Sequence, residues 1–179
     1  FAFHPSSLAA PFILMAFIFM EEERYIEMLI TLGGLILFKE NTMFISIGFG
    51  LYLIFKHKKI KLGLALVFIG LILMLFLIKL AIPFFSMNGY SKLERFGIFQ
   101  DTGLKLKYII HLLLPLFFLP IIFWRYGVIF LPAVFQNIIV SFQPMYSSQY
   151  HYDDLASPLL FACMPGIIIL ELLPFIRKL

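Results

Sequence analysis

Seven apolar segments, near 5–20, 25–38, 42–55, 62–85, 107–123, 127–141 and 157–175, alternate along the chain with short polar clusters. A membrane-spanning helix needs about 20 apolar residues at ~1.5 Å rise each to cross ~30 Å of hydrocarbon. Segment 62–85 meets that length unaided. The shorter segments 25–38 and 42–55 read as thin spans or as a hairpin dipping partway in, and the others span only with their flanks. Pro115, Pro120 and Pro165 fall inside segments. They predict kinked helices whose freed carbonyls are satisfied inside a bundle.

The polar clusters set an orientation. Lys56, Lys58, Lys59 and Lys61 crowd one short connection, which the excess of cations on the cytoplasmic side places inside. Counting spans outward from there, Arg24, Arg125 and the Arg177-Lys178 tail also fall inside. His4, Lys39-Glu40-Asn41, the 86–106 loop and Tyr150-His151-Tyr152-Asp153-Asp154 all fall on the other face.

Composition agrees with lipid surroundings. Of 179 residues, 62% are hydrophobic and 13% charged, with 23 Phe, which leaves too little polar surface for a water-facing globule. The net charge of +4 lies beside hydrophobic segments and reports on orientation in the bilayer, not on nucleic acid. The single cysteine, Cys163, excludes an internal disulfide. A first residue Phe1, with no charged leader and cleavage site after it, makes the chain read as a fragment of a longer protein. The expected architecture is all-α: a polytopic transmembrane helical bundle of about six or seven helical segments, forming one domain fragment over 1–179.

The outer-face clusters carry the candidate chemistry. The 86–106 loop reads first as a solvated connector, although Lys92, Arg95 and Lys105 offer cations to a phosphate. Lys39-Glu40 suits a phosphate contact at the membrane surface, or a polar turn capped by Asn41 and Thr42. His4-Pro5 has the chemistry of a helix start. Asp153 and Asp154 suit the first turn of a helix entered at Ser157-Pro158. Yet His151, Tyr152 and Asp154 together combine a proton carrier, a stacking face and an anionic acceptor, a set that fits a sugar or a divalent metal. No metal-ligand spacing assigns one, and no cofactor is identifiable. Within the segments, Glu27, Lys79, His111, Gln136, Asn137 and Glu171 are polar, with Lys79 placed to snorkel and Glu171 to pair with Arg177.

Several stretches, in order, resemble a known family. Phe3-His4-Pro5, Lys39-Glu40-Asn41 followed by Gly48-Phe49-Gly50-Leu51-Tyr52-Leu53 and a basic turn, Ile82-Pro83-Phe84-Phe85, Leu119-Pro120, and His151-Tyr152 before Pro158 are similar to prokaryotic domain-of-unknown-function family 2079. That resemblance implies a GT-C-like glycosyltransferase in the cell membrane, multi-pass, taking a sugar from a polyprenyl-phosphate donor on the extracytoplasmic face. It implies that Lys39-Glu40 lies near the lipid phosphate, with His151-Tyr152 beside the sugar. It also puts the catalytic base upstream of Phe1, and Ala2 stands where the family pattern expects an acid. Two rival readings are a transporter or flippase of a lipid-linked or anionic solute, which predicts broken helices and midplane charges, and a non-catalytic membrane subunit.

Overall fold

The computed structural model describes residues 9–35, 43–81, 84, 97, 99–139, 143–146 and 156–176, and those residues are helical with short connections. Two helical hairpins begin the chain. In the first, α1 (Ala9–Glu21) packs on α2 (Tyr25–Leu35); in the second, α3 (Met43–Phe55) packs on α4 (Ile60–Phe76). Both hairpin turns use a left-handed residue just past the first helix, Glu23 at φ 59° and Lys58 at φ 55°. At Lys58 the Lys59 N–H reaches back to the Leu53 carbonyl at 2.9 Å, a six-residue closure that satisfies an otherwise orphaned helix carbonyl.

Glycines let the second hairpin close tightly. A Cβ on Gly50 would stand 2.7 Å from the Gly63 carbonyl oxygen, and one on Gly63 would stand 2.6 Å from the Gly50 oxygen. Each glycine therefore admits the other helix's backbone, the contact that small residues provide between helices lacking a hydrophobic drive to associate. Gly48, one turn-face away, likewise receives the Ile129 carbonyl. The Gly48-Phe49-Gly50 stretch is thus a packing device.

The later segments are broken, as the prolines predict. Helix α5 (Thr102–Leu113) tightens into a 3-10 turn at Leu114–Leu116 and ends at Phe117 and Phe118, both left-handed. Pro115 and Pro120 each stand at the start of a new short piece, where a missing N–H costs nothing. Two such pieces follow, α6 (Leu119–Ile122) and α7 (Trp124–Gly127), before α8 (Leu131–Ile139) turns back along α3. A 3-10 turn covers Gln143–Tyr146. Then α9 (Ala156–Gly166) packs on α1, α6 and α7, widens into a π-helix at Ile167–Leu172, and resumes as α10 (Leu173–Ile176). Pro165 and Pro174 bracket the π stretch and explain it: each lacks the N–H that the regular ladder requires. Helix α4 widens similarly at Leu77–Ala81.

The core runs through the hairpins into α8 and α9. Ile13, Met20, Phe49, Tyr52, Leu53, Ile129, Leu159 and Cys163 are completely or almost completely buried. The outside is apolar too, with Ile26, Ile30, Leu64, Phe68, Ile72, Leu75 and Phe76 exposed. Helix α4 is therefore hydrophobic all round, the character of a helix surrounded by apolar matter on every side. Among the described residues no helix is long and apolar enough to cross a membrane.

Candidate functional site

Most of the described charged residues gather in two clusters. At the first, the α1–α2 turn, the α3–α4 turn, α7 and the π stretch of the last helix converge. His57 Nε2 stands 3.2 Å from Glu21 Oε1, and Lys59 Nζ stands 3.7 Å from Glu23 Oε2, so a hydrogen bond and an ion pair lash one hairpin turn to the other. Arg24 lies on the same turn and donates to Glu22 at 3.1 Å and Glu27 at 3.0 Å.

A second chain of contacts crosses to the C-terminal helix. Lys56 Nζ donates to the Tyr126 hydroxyl and sits 3.8 Å from that ring's centroid. The Tyr126 hydroxyl donates to Glu171 Oε1 at 3.3 Å, and Lys56 Nζ is 3.9 Å from the same oxygen. Glu171 thus meets Lys56 and Tyr126, whereas the expected partner Arg177 lies outside the described residues. Below this charged layer Tyr52 packs against Phe17 at 5.6 Å, His57 at 5.6 Å and Tyr126 at 6.3 Å between ring centroids.

These neighbours tune the groups at this end. Burial opposes ionisation of Glu21, but hydrogen bonds from His57 and Tyr52 and the nearby cations outweigh it and hold the carboxyl below its ordinary value. Burial, then the Glu171 carboxylate, pushes the Tyr126 hydroxyl up to about 12, so it stays a donor. Chemically the cluster is a clasp in which each of these carboxylates meets a cation or His57. A His held by a carboxylate is also a proton-relay geometry, but here its other neighbours are the Tyr52 ring and the turn it ties down.

The second cluster is built by the start of α5, the end of α8 and the 143–146 turn. The Tyr146 hydroxyl donates to Asp101 Oδ2 at 2.7 Å, and Lys105 Nζ donates to the Gly97 carbonyl while standing 5.1 Å from the Tyr146 ring centroid. Burial and then Asp101 raise Tyr146 to about 12, and burial lowers Lys105. Asn137 Nδ2 donates to the Tyr108 hydroxyl at 2.9 Å. Lys105, expected in a solvated loop, is instead a buried residue that fastens this end.

Between α5 and α9 opens a groove of about 190 Å3. Leu112, Pro115, Leu116, Leu160 and Phe161 make it apolar, while Tyr108, His111 and Ser157 supply the polar groups. Among the described residues no group of three or more His, Cys, Asp or Glu is arranged to hold a metal ion.

The sequence-derived candidates Lys39, Glu40, His151, Tyr152, Asp154, His4 and Arg95 lie outside the described residues. What sequence reasoning missed is the clasp. Its signal was present: Glu21-Glu22-Glu23 ends one helix and Lys56-His57-Lys58-Lys59 ends another, opposite charge runs at the same end of neighbouring hairpins. Tyr126 carries no such signal, because its partners Lys56 and Glu171 are 70 and 45 residues away.

The model of a family described as "Predicted membrane protein (DUF2079)" matches residues 1–105. No curated protein and no solved structure matches the chain.

Proposed function

From a chain that belongs to this family of predicted membrane proteins, we propose a multi-pass membrane domain of a GT-C-like glycosyltransferase, taking a sugar from a polyprenyl-phosphate carrier on the extracytoplasmic face. The groove between α5 and α9 is the observation that carries the reading. It is lined by apolar side chains with Tyr108, His111 and Ser157 among them, which suits a ligand that is hydrocarbon at one end and polar at the other. Asp154 stands three residues before Ser157 in sequence, and three residues of chain reach at most about 11 Å. The groove residue Ser157 thus follows the His151–Asp154 cluster closely in sequence. The other end is occupied by its own ion pairs, which favours placing chemistry away from it.

In this reading Lys39 and Arg95 neutralise the carrier phosphate, and His4 and Glu40 hold their geometry. His151, Tyr152 and Asp154 position the sugar. A general base takes the acceptor hydroxyl's proton, the acceptor oxygen bonds to the anomeric carbon as the bond from that carbon to the phosphate oxygen breaks, and polyprenyl phosphate leaves with the electron pair. Cations at the leaving phosphate are what such a step needs most, because negative charge grows there. A divalent metal in the same place would serve the same purpose.

One observation favours transport of a lipid-linked solute instead: the α5 segment breaks at Leu114–Phe118, next to His111 and the groove. Transfer assays separate the two. In the full-length protein, Lys39→Met and His151→Gln are expected to lower transfer of the lipid-linked sugar about tenfold or more, the scale of about 1.4 kcal/mol for a lost charge-assisted contact. Helical content and melting are expected to barely change, which separates a lost ligand contact from a lost fold. Normal transfer in both variants removes the glycosyltransferase reading.

A further inference from the structure

Every described carboxylate at the clasped end is already taken. Glu22 and Glu27 hold Arg24, Glu21 takes His57, Glu23 faces Lys59 and Glu171 stands by Lys56. Lys58, Lys61 and Arg125 are left over. All three are exposed, and no salt bridge to a described acid involves any of them.

Their surroundings are specific. Lys58 occupies the left-handed position of the α3–α4 turn, a place where glycine is the cheaper residue. Lys61 lies in the first turn of α4, where unpaired N–H groups add positive potential. The Arg125 guanidinium carbon is 6.0 Å from the Trp124 ring centroid, and the Trp124 ring packs edge-on against Phe55 at 5.3 Å. That ring contact joins the residue before Arg125 to the last residue of α3, three positions before Lys58. On the helices that carry or flank these cations, Ile60, Leu64, Ile121, Ile122 and Trp124 expose large apolar surface.

We propose that Lys58, Lys61 and Arg125 bind the phosphate headgroup of an anionic membrane phospholipid, with its acyl chains along the exposed apolar flank of α4 and α6. Uncompensated cations select an anion, and arginine adds a forked donor set that matches phosphate oxygens. Free phosphate would use the cations alone. Only a ligand with hydrocarbon attached uses the apolar strip as well, and Trp124 has the amphipathic ring that settles at headgroup level. Each cation near an anionic surface adds attraction, so all three act in the same direction on one headgroup. The inference rests on membrane embedding and is independent of sugar transfer, which the Lys39→Met assay tests separately.

Native mass spectrometry of the detergent-solubilised full-length protein tests it, with phosphatidylglycerol, phosphatidylcholine of the same acyl chains, and inorganic phosphate as probes. Phosphatidylglycerol is expected to bind preferentially, and the triple variant Lys58→Gln, Lys61→Gln, Arg125→Gln should lose at least about tenfold in its affinity. The paired double variant Glu23→Gln, Lys59→Gln should retain it. Should the triple variant fail to fold, the three single substitutions carry the test, each expected to cost about fivefold. Equal binding of phosphatidylcholine, undiminished binding after these substitutions, or displacement by millimolar inorganic phosphate overturns the proposal.

Discussion

Glu21 shows how a residue that reads as one of three surface acids becomes a tie between helices. Its carboxyl accepts from His57 across 36 positions of sequence and lies over the buried Tyr52 ring system. Because its folded-state pKa is depressed, it releases its proton more readily in the folded chain than in the unfolded one. The stability it contributes is therefore present above the unfolded value of 4.5 and is lost as pH falls through the lower folded value. Glu21→Gln is expected to melt below the parent protein near neutral pH. The two melting temperatures should converge as pH drops under 4.5. Thermal scans across that range decide it: identical melting near neutral pH would mean that the clasp contributes nothing.

At the scale of elements, the α3–α4 hairpin depends on mutual backbone access at Gly50 and Gly63. Gly63→Leu must push a side chain into the Gly50 carbonyl, now 2.6 Å from the Cβ position, and neither backbone can yield independently of its helix. Overpacking of this kind costs about 1–3 kcal/mol. Gly33→Ala on α2 is the matched control, since nothing lies within 4 Å of its Cβ position. There the gain in helix propensity should stabilise by up to about 1 kcal/mol. Unfolding in graded denaturant should therefore move the two variants in opposite directions. A neutral Gly63→Leu would show that α3 and α4 do not need to approach so closely. The pairing was hidden from sequence because Gly50 and Gly63 belong to different helices, and only the crossing point decides which glycines meet.

At the scale of the whole molecule, cation placement predicts an orientation that labelling can read. Cys163 is fully buried, its thiol 3.1 Å from the Leu160 carbonyl, so it gives no background with an aqueous thiol reagent. In intact cells, Gly103→Cys at the exposed start of α5 should label with an impermeant reagent, and Lys58→Cys should label only after the membrane is opened. Labelling of Lys58→Cys in intact cells would invert the proposed topology. It would also move the proposed sugar chemistry to the wrong face.

The apolar runs were enough to determine an all-helical chain. Pro115, Pro120 and Pro165 were enough to say that its later helices break, because a missing N–H is a local fact. The grouping of Arg24, the 56–61 turn and Arg125 at one end was also legible, since alternating helix direction follows from counting segments. Which charges neutralise one another was not. Glu171 stands by Lys56, Lys105 turned inward to Gly97, and Lys58, Lys61 and Arg125 form no salt bridge with a described acid. Pairing of that kind depends on distances of 3–4 Å between side chains far apart in sequence. Hydrophobic patterning sets only which end of the bundle a residue reaches; packing of the hairpins against α7 and α9 sets which neighbour it finds there.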